Sequence, residues 1–166
     1  VKKLLNIAKE VREITNICFL LLGDGSERPR LEEMVKFYNL KNVLFKPLLS
    51  NHEYPLLAKE VNIGLACLSI KNRTPVYPGK IMSYMASSIP IVAFLNKESD
   101  GHRIIDQAQC GYSLIANNYS KAAKLIMKVY NEKEDMEQLG RNGYNFANAN
   151  FSKKVCIDKL EELIKC

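Results

Sequence analysis

Proline, glycine and lysine follow one another at Pro78-Gly79-Lys80, at the start of a stretch with helical spacing. Proline fixes the backbone at a helix start, glycine admits close approach, and the free amides of a first helical turn donate hydrogen bonds to anions. Each charge-assisted bond of that kind contributes about 1.5 to 3 kcal/mol, and Lys80 adds a positive charge. The segment predicts a diphosphate-binding helix start, although a Pro-Gly turn with an exposed lysine would have the same sequence.

A second glycine-rich turn, Gly23-Asp24-Gly25, follows an apolar run and precedes a helical stripe. Glycines at such a turn let a backbone approach a phosphate. A dinucleotide-binding turn needs a third glycine for close helix packing, and Arg28 stands at that position. The spacing therefore argues against nicotinamide and flavin cofactors, and it leaves open either a ligand contact or a plain tight turn.

Four titratable residues, Asp100, His102, Arg103 and Asp106, fall on one predicted helix. They have no metal-ligand spacing and no nucleophile beside them, so we expect them to form a solvated face. His52 and His102 are far apart in the sequence and lack a set of cysteine ligands, which argues against zinc. The sequence identifies no catalytic residue and predicts no metal site.

The elements that would position these turns alternate between strands and helices. Apolar runs predict strands at residues 17–22, 43–45, 61–68, 89–95 and 112–115. Helical spacing predicts an opening helix and further helices at about residues 31–38, 51–59, 79–87, 102–107, 119–131, 134–148 and 152–165. Ser120 and Ser152 are expected N-caps. Strands that are apolar on both faces predict a doubly wound, Rossmann-like parallel sheet that binds ligands at the carboxyl ends of its strands.

Composition indicates a single folded domain over residues 1–166, with 47% hydrophobic and 25% charged residues. The apolar runs are shorter than the ~20 residues of a membrane-spanning helix. The five cysteines form no C-x-x-C pair and lie mostly in apolar segments, where we expect each thiol to pack as a small hydrophobic group. This pattern predicts a reducing, cytoplasmic compartment. A net charge of +6 suggests an anionic partner. No pattern of aromatic and basic residues points to nucleic acid.

Together these segments resemble the C-terminal, donor-binding domain of GT-B fold retaining glycosyltransferases of the family 4-like (group 1) class, which includes many lipopolysaccharide and capsule enzymes. The matching stretches are residues 19–25, 31–32, 42–45, 61–65, 78–86, 90–93, 110–112, 139–142 and 151–152. Among them are Gly23-Asp24-Gly25, Pro78-Gly79-Lys80-Ile81 and Cys110-Gly111-Tyr112. Their order and spacing make the resemblance specific.

The resemblance implies a nucleotide-sugar donor, UDP-linked, and no cofactor. The sugar would pass to a glycan or lipid-linked saccharide in surface polysaccharide synthesis, on the inner face of the plasma membrane. It also implies an acceptor-binding N-terminal domain and a first strand that lie outside this chain. Without them we expect residues 1–166 to be inactive alone and to bind a donor weakly. The basic balance fits peripheral docking on an anionic membrane surface.

Positions in the family's motifs suggest roles for eight residues. Lys46, Pro47 and Leu48 would border the base, Gly79, Lys80 and Ile81 the pyrophosphate, Ser83 the ribose, and Gly25 the interdomain cleft. The chain also departs from the family. The paired glutamates of the family fall on Pro75 and Ser83, so neither carboxylate is present, and Ser88 stands where glycine is usual.

Two other functions fit parts of the pattern. A non-enzymatic α/β binding or regulatory domain is the main alternative, but Asp24 lacks the acidic pair with which a receiver domain binds magnesium. A sugar-nucleotide epimerase would share the short Pro78-Gly79-Lys80 match, whereas the long ordered similarity favours the transferase. Met82, Tyr84 and Met85 are expected to pack in the core rather than line a cofactor site.

Overall fold

A computed structural model describes residues 2–50, 52–70 and 75–164, in which helices and strands alternate. The helices are α1 (Lys2–Glu10), α2 (Arg28–Phe37), α3 (Tyr54–Glu60), α4 (Gly79–Ala86), α5 (Gly101–Ala108), α6 (Tyr119–Asn131), α7 (Met136–Phe151) and α8 (Lys153–Ile164). The strands are β1 (Phe19–Leu22), β2 (Val43–Lys46), β3 (Gly64–Cys67), β4 (Ile91–Leu95) and β5 (Gly111–Ile115). A short 3-10 helix, Lys133–Asp135, joins α6 to α7.

The described strands form two parallel sheets rather than one. One sheet pairs β1 with β2, and the other has the order β3-β4-β5. Parallel neighbours need crossover connections, and helices supply them here. The predicted α/β class with parallel strands flanked by helices is thus confirmed, whereas the expected continuous sheet is divided between β1 and β3.

On one side of β1 and on one side of β3, the backbone groups point away from the partner strand of the same sheet. The N–H groups of Phe19 and Gly23 donate to carbonyls in the β2 segment, so by strand alternation those of the intervening even-numbered residues point outward. Gly64 and Leu68 likewise donate to the β4 segment, so Leu65 and Cys67 point outward from β3. Each sheet therefore has an edge with backbone donors and acceptors directed away from its partner.

Two buried clusters hold the layers together. The first, the shared cluster, joins both sheets to α1 and α6, with members Leu5, Ala8, Phe19, Val43, Val92, Phe94, Ala122 and Ile126 among others. The second, the α4–α5 cluster, lies on the opposite face of the three-stranded sheet, with members Ala66, Ile81, Met85, Ile91, Leu95, Ile105, Cys110 and Ala147 among others. Residues from both sheets enter the shared cluster, so the two sheets have part of their core in common.

The helix α4 packs as the sequence predicted. Met85 is fully buried, and Met82 and Tyr84 pack against the same cluster. Gly64 makes this packing possible, because a side chain at that position would overlap the ring of Tyr84. The Tyr84 hydroxyl donates to the Leu65 carbonyl at 3.2 Å, on the outward edge of β3.

The structure corrects one of the two expected N-caps and confirms the other. Ser120 does not cap α6, because the Asn118 side chain accepts the Lys121 N–H at 2.9 Å. The Ser152 prediction is confirmed, since its hydroxyl accepts the Val155 N–H at 3.4 Å.

Among the helices of residues 2–50, 52–70 and 75–164, none is long and apolar enough to span a membrane.

The cysteines are less buried than their apolar neighbours suggest. Cys18, Cys67 and Cys156 are exposed, and of the cysteines in the described part of the chain only Cys110 is buried. Cys166 lies outside the described residues. The prediction that the thiols mostly pack as small hydrophobes is therefore wrong for three of them; Cys156, for example, lies on α8, which has no buried residue.

Candidate functional site

Most of the sequence-predicted site residues lie where the strands of the two sheets end. In a parallel sheet, the loops after the carboxyl ends of the strands meet at one edge. The turn after β1 and the loop after β2 form one part of this edge, and the start of α4, which follows β3, forms another.

The turn after β1 is tied directly to the loop after β2. Gly23 has a φ of 133°, a left-handed conformation that glycine adopts without strain. Its N–H donates to the Lys46 carbonyl at 3.1 Å, and the N–H of Leu48 donates to Oδ2 of Asp24 at 3.0 Å. The structure therefore brings Gly25 and residues 46–48 into one connected surface.

Arg28 holds the other side of the Asp24 carboxylate. Its Nη1 donates to Oδ1 of Asp24 at 2.6 Å and to the Gly23 carbonyl at 3.1 Å, while its Nε donates to Glu32 at 2.8 Å. The guanidinium also lies 5.9 Å from the centre of the Phe45 ring. The Leu48 N–H and then Arg28 lower the pKa of Asp24, which stays charged at neutral pH.

The side chains of the loop after β2 project into solvent. Lys46 and Pro47 are exposed, and Leu48 is 75% exposed. Gly25 is exposed as well, with open space where a side chain would be. The Leu48 side chain is apolar and its backbone is hydrogen-bonded to Asp24, so it can contact a flat, partly apolar ring at the edge of the sheet.

The start of α4 is open. Pro78 occupies the N-cap position, and no described side chain caps the helix. Gly79 is exposed, and a side chain placed there would meet nothing within 4 Å. The amides of Gly79 and Lys80 thus face an accessible surface with the positive end of a helix behind them.

Ile81 does not fit the role expected from the sequence. Its side chain is fully buried in the α4–α5 cluster, and its N–H donates to the Pro78 carbonyl at 2.9 Å. A residue buried in this way presents no free donor to a ligand. The accessible part of the helix start therefore consists of Gly79 and Lys80.

Lys80 adds positive charge near the carboxyl end of β3. Loss of hydration raises the pKa of the Cys67 thiol, and the charges of Lys80 and Lys3 oppose that rise. The Nζ of Lys3 also donates to the Ala116 carbonyl at 2.7 Å, at the end of β5. A thiol with a raised pKa is not an activated nucleophile, so Cys67 is given no role in the site.

The two positions of the missing glutamates are both exposed. Ser83 lies one helical turn after Gly79, and its hydroxyl donates weakly to the Gly79 carbonyl at 3.5 Å. Pro75 is exposed in the segment that precedes α4. Neither can accept hydrogen bonds as a carboxylate would.

The helix α5 only partly forms the solvated face that we expected. Asp100, Arg103 and Asp106 are exposed. His102 is not, because Nε2 lies 3.1 Å from the Asn96 carbonyl and Nδ1 lies 2.8 Å from the Ser113 hydroxyl. Since a carbonyl only accepts, Nε2 carries the proton and Nδ1 accepts from serine in the neutral ring. His102 thus ties β4 to β5 as a structural residue.

Residues 2–50, 52–70 and 75–164 contain no group of three or more histidine, cysteine or acidic residues placed to hold a metal ion. Sequence reasoning missed one functional candidate, the carboxylate of Asp24. Its signal was an acidic residue between two glycines with an arginine four positions later.

Comparison with known proteins identifies a family and a fold. Residues 1–146 match the family model described as "Glycosyl transferases group 1". A UDP-glycosyltransferase from Arabidopsis thaliana, TURAN, is 29% identical over 86 residues, covering 51% of this chain and 18% of its own length.

Solved structures share the fold at low sequence identity. S. aureus TarM in complex with fondaparinux, alpha-GlcNAc-glycerol and UDP has a TM-score of 0.79 at 18% identity, over 99% of this chain and 32% of its own. The C-terminal domain of LpcC, a group 1 family protein from Francisella tularensis, has a TM-score of 0.74 at 16% identity, over 92% of this chain and 79% of that domain. The chain thus spans about a third or less of the longer relatives and most of the isolated C-terminal domain.

Proposed function

We propose, on the premise that this chain belongs to the group 1 family of glycosyl transferases, that it binds the nucleotide-sugar donor of a larger enzyme. The donor we propose is UDP-linked. The enzyme would transfer its sugar to a glycan or lipid-linked saccharide in surface polysaccharide synthesis. The accessible start of α4 is the observation that supports this proposal most directly.

The diphosphate would lie against Gly79 and Lys80. Free amides at a helix start present partial positive charge, and the open space around Gly79 lets a phosphate oxygen reach them. The Lys80 ammonium adds a mobile charge for the same group. Ile81 is left out of the proposed site, because its N–H and its side chain are both used within the fold.

The nucleoside would extend from the diphosphate toward the loop after β2. Ser83 would contact a hydroxyl of the ribose, and the exposed apolar surface of Pro47 and Leu48 would contact the base. Lys46 and Gly25 would border the same cleft. A serine makes a shorter, neutral contact than a glutamate, so we propose weak donor binding by this chain alone.

The enzyme's mechanism and location are proposed from the family resemblance. Retention at the anomeric carbon is typical of the class that the sequence resembles, and no residue of this chain is assigned a catalytic role. The net charge of +6 supports docking on the anionic cytoplasmic face of a membrane. A lipid-linked acceptor would be reached from that position.

The divided sheet supports the proposal that the functional unit includes further chain. The outward edges of β1 and β3 carry backbone groups that are not used within their own sheets, and both sheets already share one buried cluster. A parallel strand between them would give the order β2-β1-strand-β3-β4-β5. We propose that this strand, and an acceptor-binding domain, belong to the same protein.

A titration with UDP tests the donor site. In the 15N-labelled chain, millimolar UDP should shift the amide signals of Lys46, Leu48 and residues 79–83. Lys80→Ala should weaken UDP binding by about tenfold or more, since it removes one phosphate contact of about 1.5 to 3 kcal/mol. Lys124→Ala, an exposed lysine on α6, is the matched control.

The titration also distinguishes the donor site from a general basic surface. If UDP shifts only signals of α6 and α8, or if Lys124→Ala weakens binding as much as Lys80→Ala, the proposed site is wrong. Binding to random DNA with a steep salt dependence would instead favour the non-enzymatic alternative.

A further inference from the structure

We infer that Asp24 is a positioning residue, which fixes the loop after β2 so that Leu48 meets the nucleobase at a set position. This inference rests on the proposed function, because it concerns the base-binding part of the same site. Asp24 itself would touch neither substrate nor acceptor.

The need for such a residue follows from where the β1–β2 ladder ends. Its last bond runs from the Gly23 N–H to the Lys46 carbonyl, at the end of β2. By strand alternation, the next N–H directed toward β1 is that of Leu48, and a continued ladder would pair it with the Gly23 carbonyl. That carbonyl accepts from Arg28 instead, and the Leu48 N–H donates to the Asp24 side chain.

Little else in the loop would hold Leu48 in place. Its side chain is 75% exposed, so core packing contributes little to its position. Exposed loops of this kind sample many conformations when their backbone is untied. The bond to Asp24 thus fixes the backbone beneath a leucine that faces solvent.

The Asp24 carboxylate is itself held from two sides. Oδ2 accepts from Leu48 at 3.0 Å and Oδ1 accepts from Arg28 at 2.6 Å. Arg28 is oriented in turn by Glu32 and by the Gly23 carbonyl. Both carboxylate oxygens accept hydrogen bonds from within the protein, as expected of a side chain that supports the loop.

This arrangement distinguishes base binding from phosphate binding. The Asp24 network supports the loop of the two-stranded sheet, whereas Gly79 and Lys80 belong to a helix packed on the three-stranded sheet. Loss of the carboxylate should therefore weaken uridine binding and leave pyrophosphate binding unchanged. A general loss of stability would weaken both.

The test compares Asp24→Ala and Asp24→Asn with the natural chain, using uridine and inorganic pyrophosphate as separate probes. Asp24→Ala should weaken uridine binding roughly three- to tenfold, measured from the amide shifts of Lys46 and Leu48. Asn can satisfy only one of the two partners, so its loss should be smaller. Asp106→Ala, an exposed carboxylate on α5, is the control.

Hydrogen exchange supplies a readout that needs no ligand. In Asp24→Ala the Leu48 amide should exchange faster, while the amides of β4 remain protected. Arg28→Lys provides a second variant. Lysine keeps the positive charge but lacks the guanidinium group that donates to Asp24, Gly23 and Glu32 together. It should weaken uridine binding in the same direction as Asp24→Asn.

The outcomes separate the two proposals. If the natural chain responds to uridine and pyrophosphate but Asp24→Ala leaves uridine affinity unchanged, or weakens both probes equally, the positioning role is overturned and the donor site stands. If the natural chain responds to neither probe at residues 46–48 and 79–83, the donor site is overturned, and the positioning role with it.

Discussion

The two sheets of this chain differ in how completely they are buried. All five residues of β4 are buried, with helices covering both faces of the three-stranded sheet. In the two-stranded sheet only Phe19 and Val43 are buried, and Leu44 is 50% exposed. A parallel strand with an exposed apolar face is unusual, because such sheets are normally covered on both sides.

The two sheets would contribute different contacts to the proposed site. The proposed phosphate contacts begin a helix that is anchored in the core through Ile81 and Met85. The proposed base contacts lie on a loop that depends on one polar network for its position. Under the proposal, the phosphate contacts would belong to the three-stranded sheet and the base contacts to the two-stranded sheet.

The largest predicted effect contrasts leucines from the two sheets. Leu95 is fully buried at the end of β4, whereas Leu44 lies half-exposed in β2. Leu95→Ala should lower the free energy of unfolding by about 3 to 5 kcal/mol, because it leaves a cavity. Leu44→Ala should change it by less than about 1 kcal/mol. Equal losses in urea unfolding would contradict the difference in burial.

The next effect concerns two glycines, Gly64 at the start of β3 and Gly79 at the start of α4. Gly64→Ala should destabilise the chain by about 1 to 3 kcal/mol, because the new methyl group overlaps the Tyr84 ring. Gly79→Ala meets open space and should leave the melting temperature nearly unchanged. It should nevertheless weaken the response to pyrophosphate, since the methyl group hinders approach to the amides. A stable Gly64→Ala protein would refute the described packing of Tyr84.

A smaller, stabilising effect is predicted at the end of α4. Ser88 has a φ of 55°, which costs energy for a residue with a side chain. Ser88→Gly should therefore raise stability by about 0.5 to 1 kcal/mol. Ser87→Gly serves as the control, because Ser87 has a φ of −98° and gains nothing from glycine. A loss of stability in Ser88→Gly would show that the serine is not strained.

The smallest effect is a pH dependence confined to the open sheet. The Leu48 N–H and Arg28 hold the pKa of Asp24 below its ordinary value, so the bonds that it accepts are present above that value. They should be lost as pH falls through the lowered pKa. The Leu48 amide signal should follow this transition and the Ala93 signal of β4 should not. A Leu48 transition at or above the ordinary aspartate pKa of about 4 would contradict the network.

The sequence predicted the elements, because these depend on local patterns, and the ligand-binding edge stays a prediction. Proline, glycine and lysine in succession predicted the start of α4, and apolar runs located every strand. The inward direction of Ile81 could have been predicted too. It lies one helical turn before Met85, on the face expected to pack against the sheet.

The division of the sheet could not be predicted from these patterns. The strands β1 and β3 are both apolar runs, and hydropathy does not specify which strands become neighbours. The bond between Asp24 and Leu48 joins residues 24 positions apart, on opposite sides of a helix and a strand. Only the tertiary arrangement brings that carboxylate to that amide.

The most direct test of the account is a search for contacts between UDP and the two parts of the site in a single complex. Intermolecular nuclear Overhauser effects should connect the uracil ring protons with the Leu48 methyl groups and the ribose protons with Ser83. Contacts from uracil to exposed leucines of α8, without any to Leu48 or Ser83, would contradict a donor site formed across the two sheets.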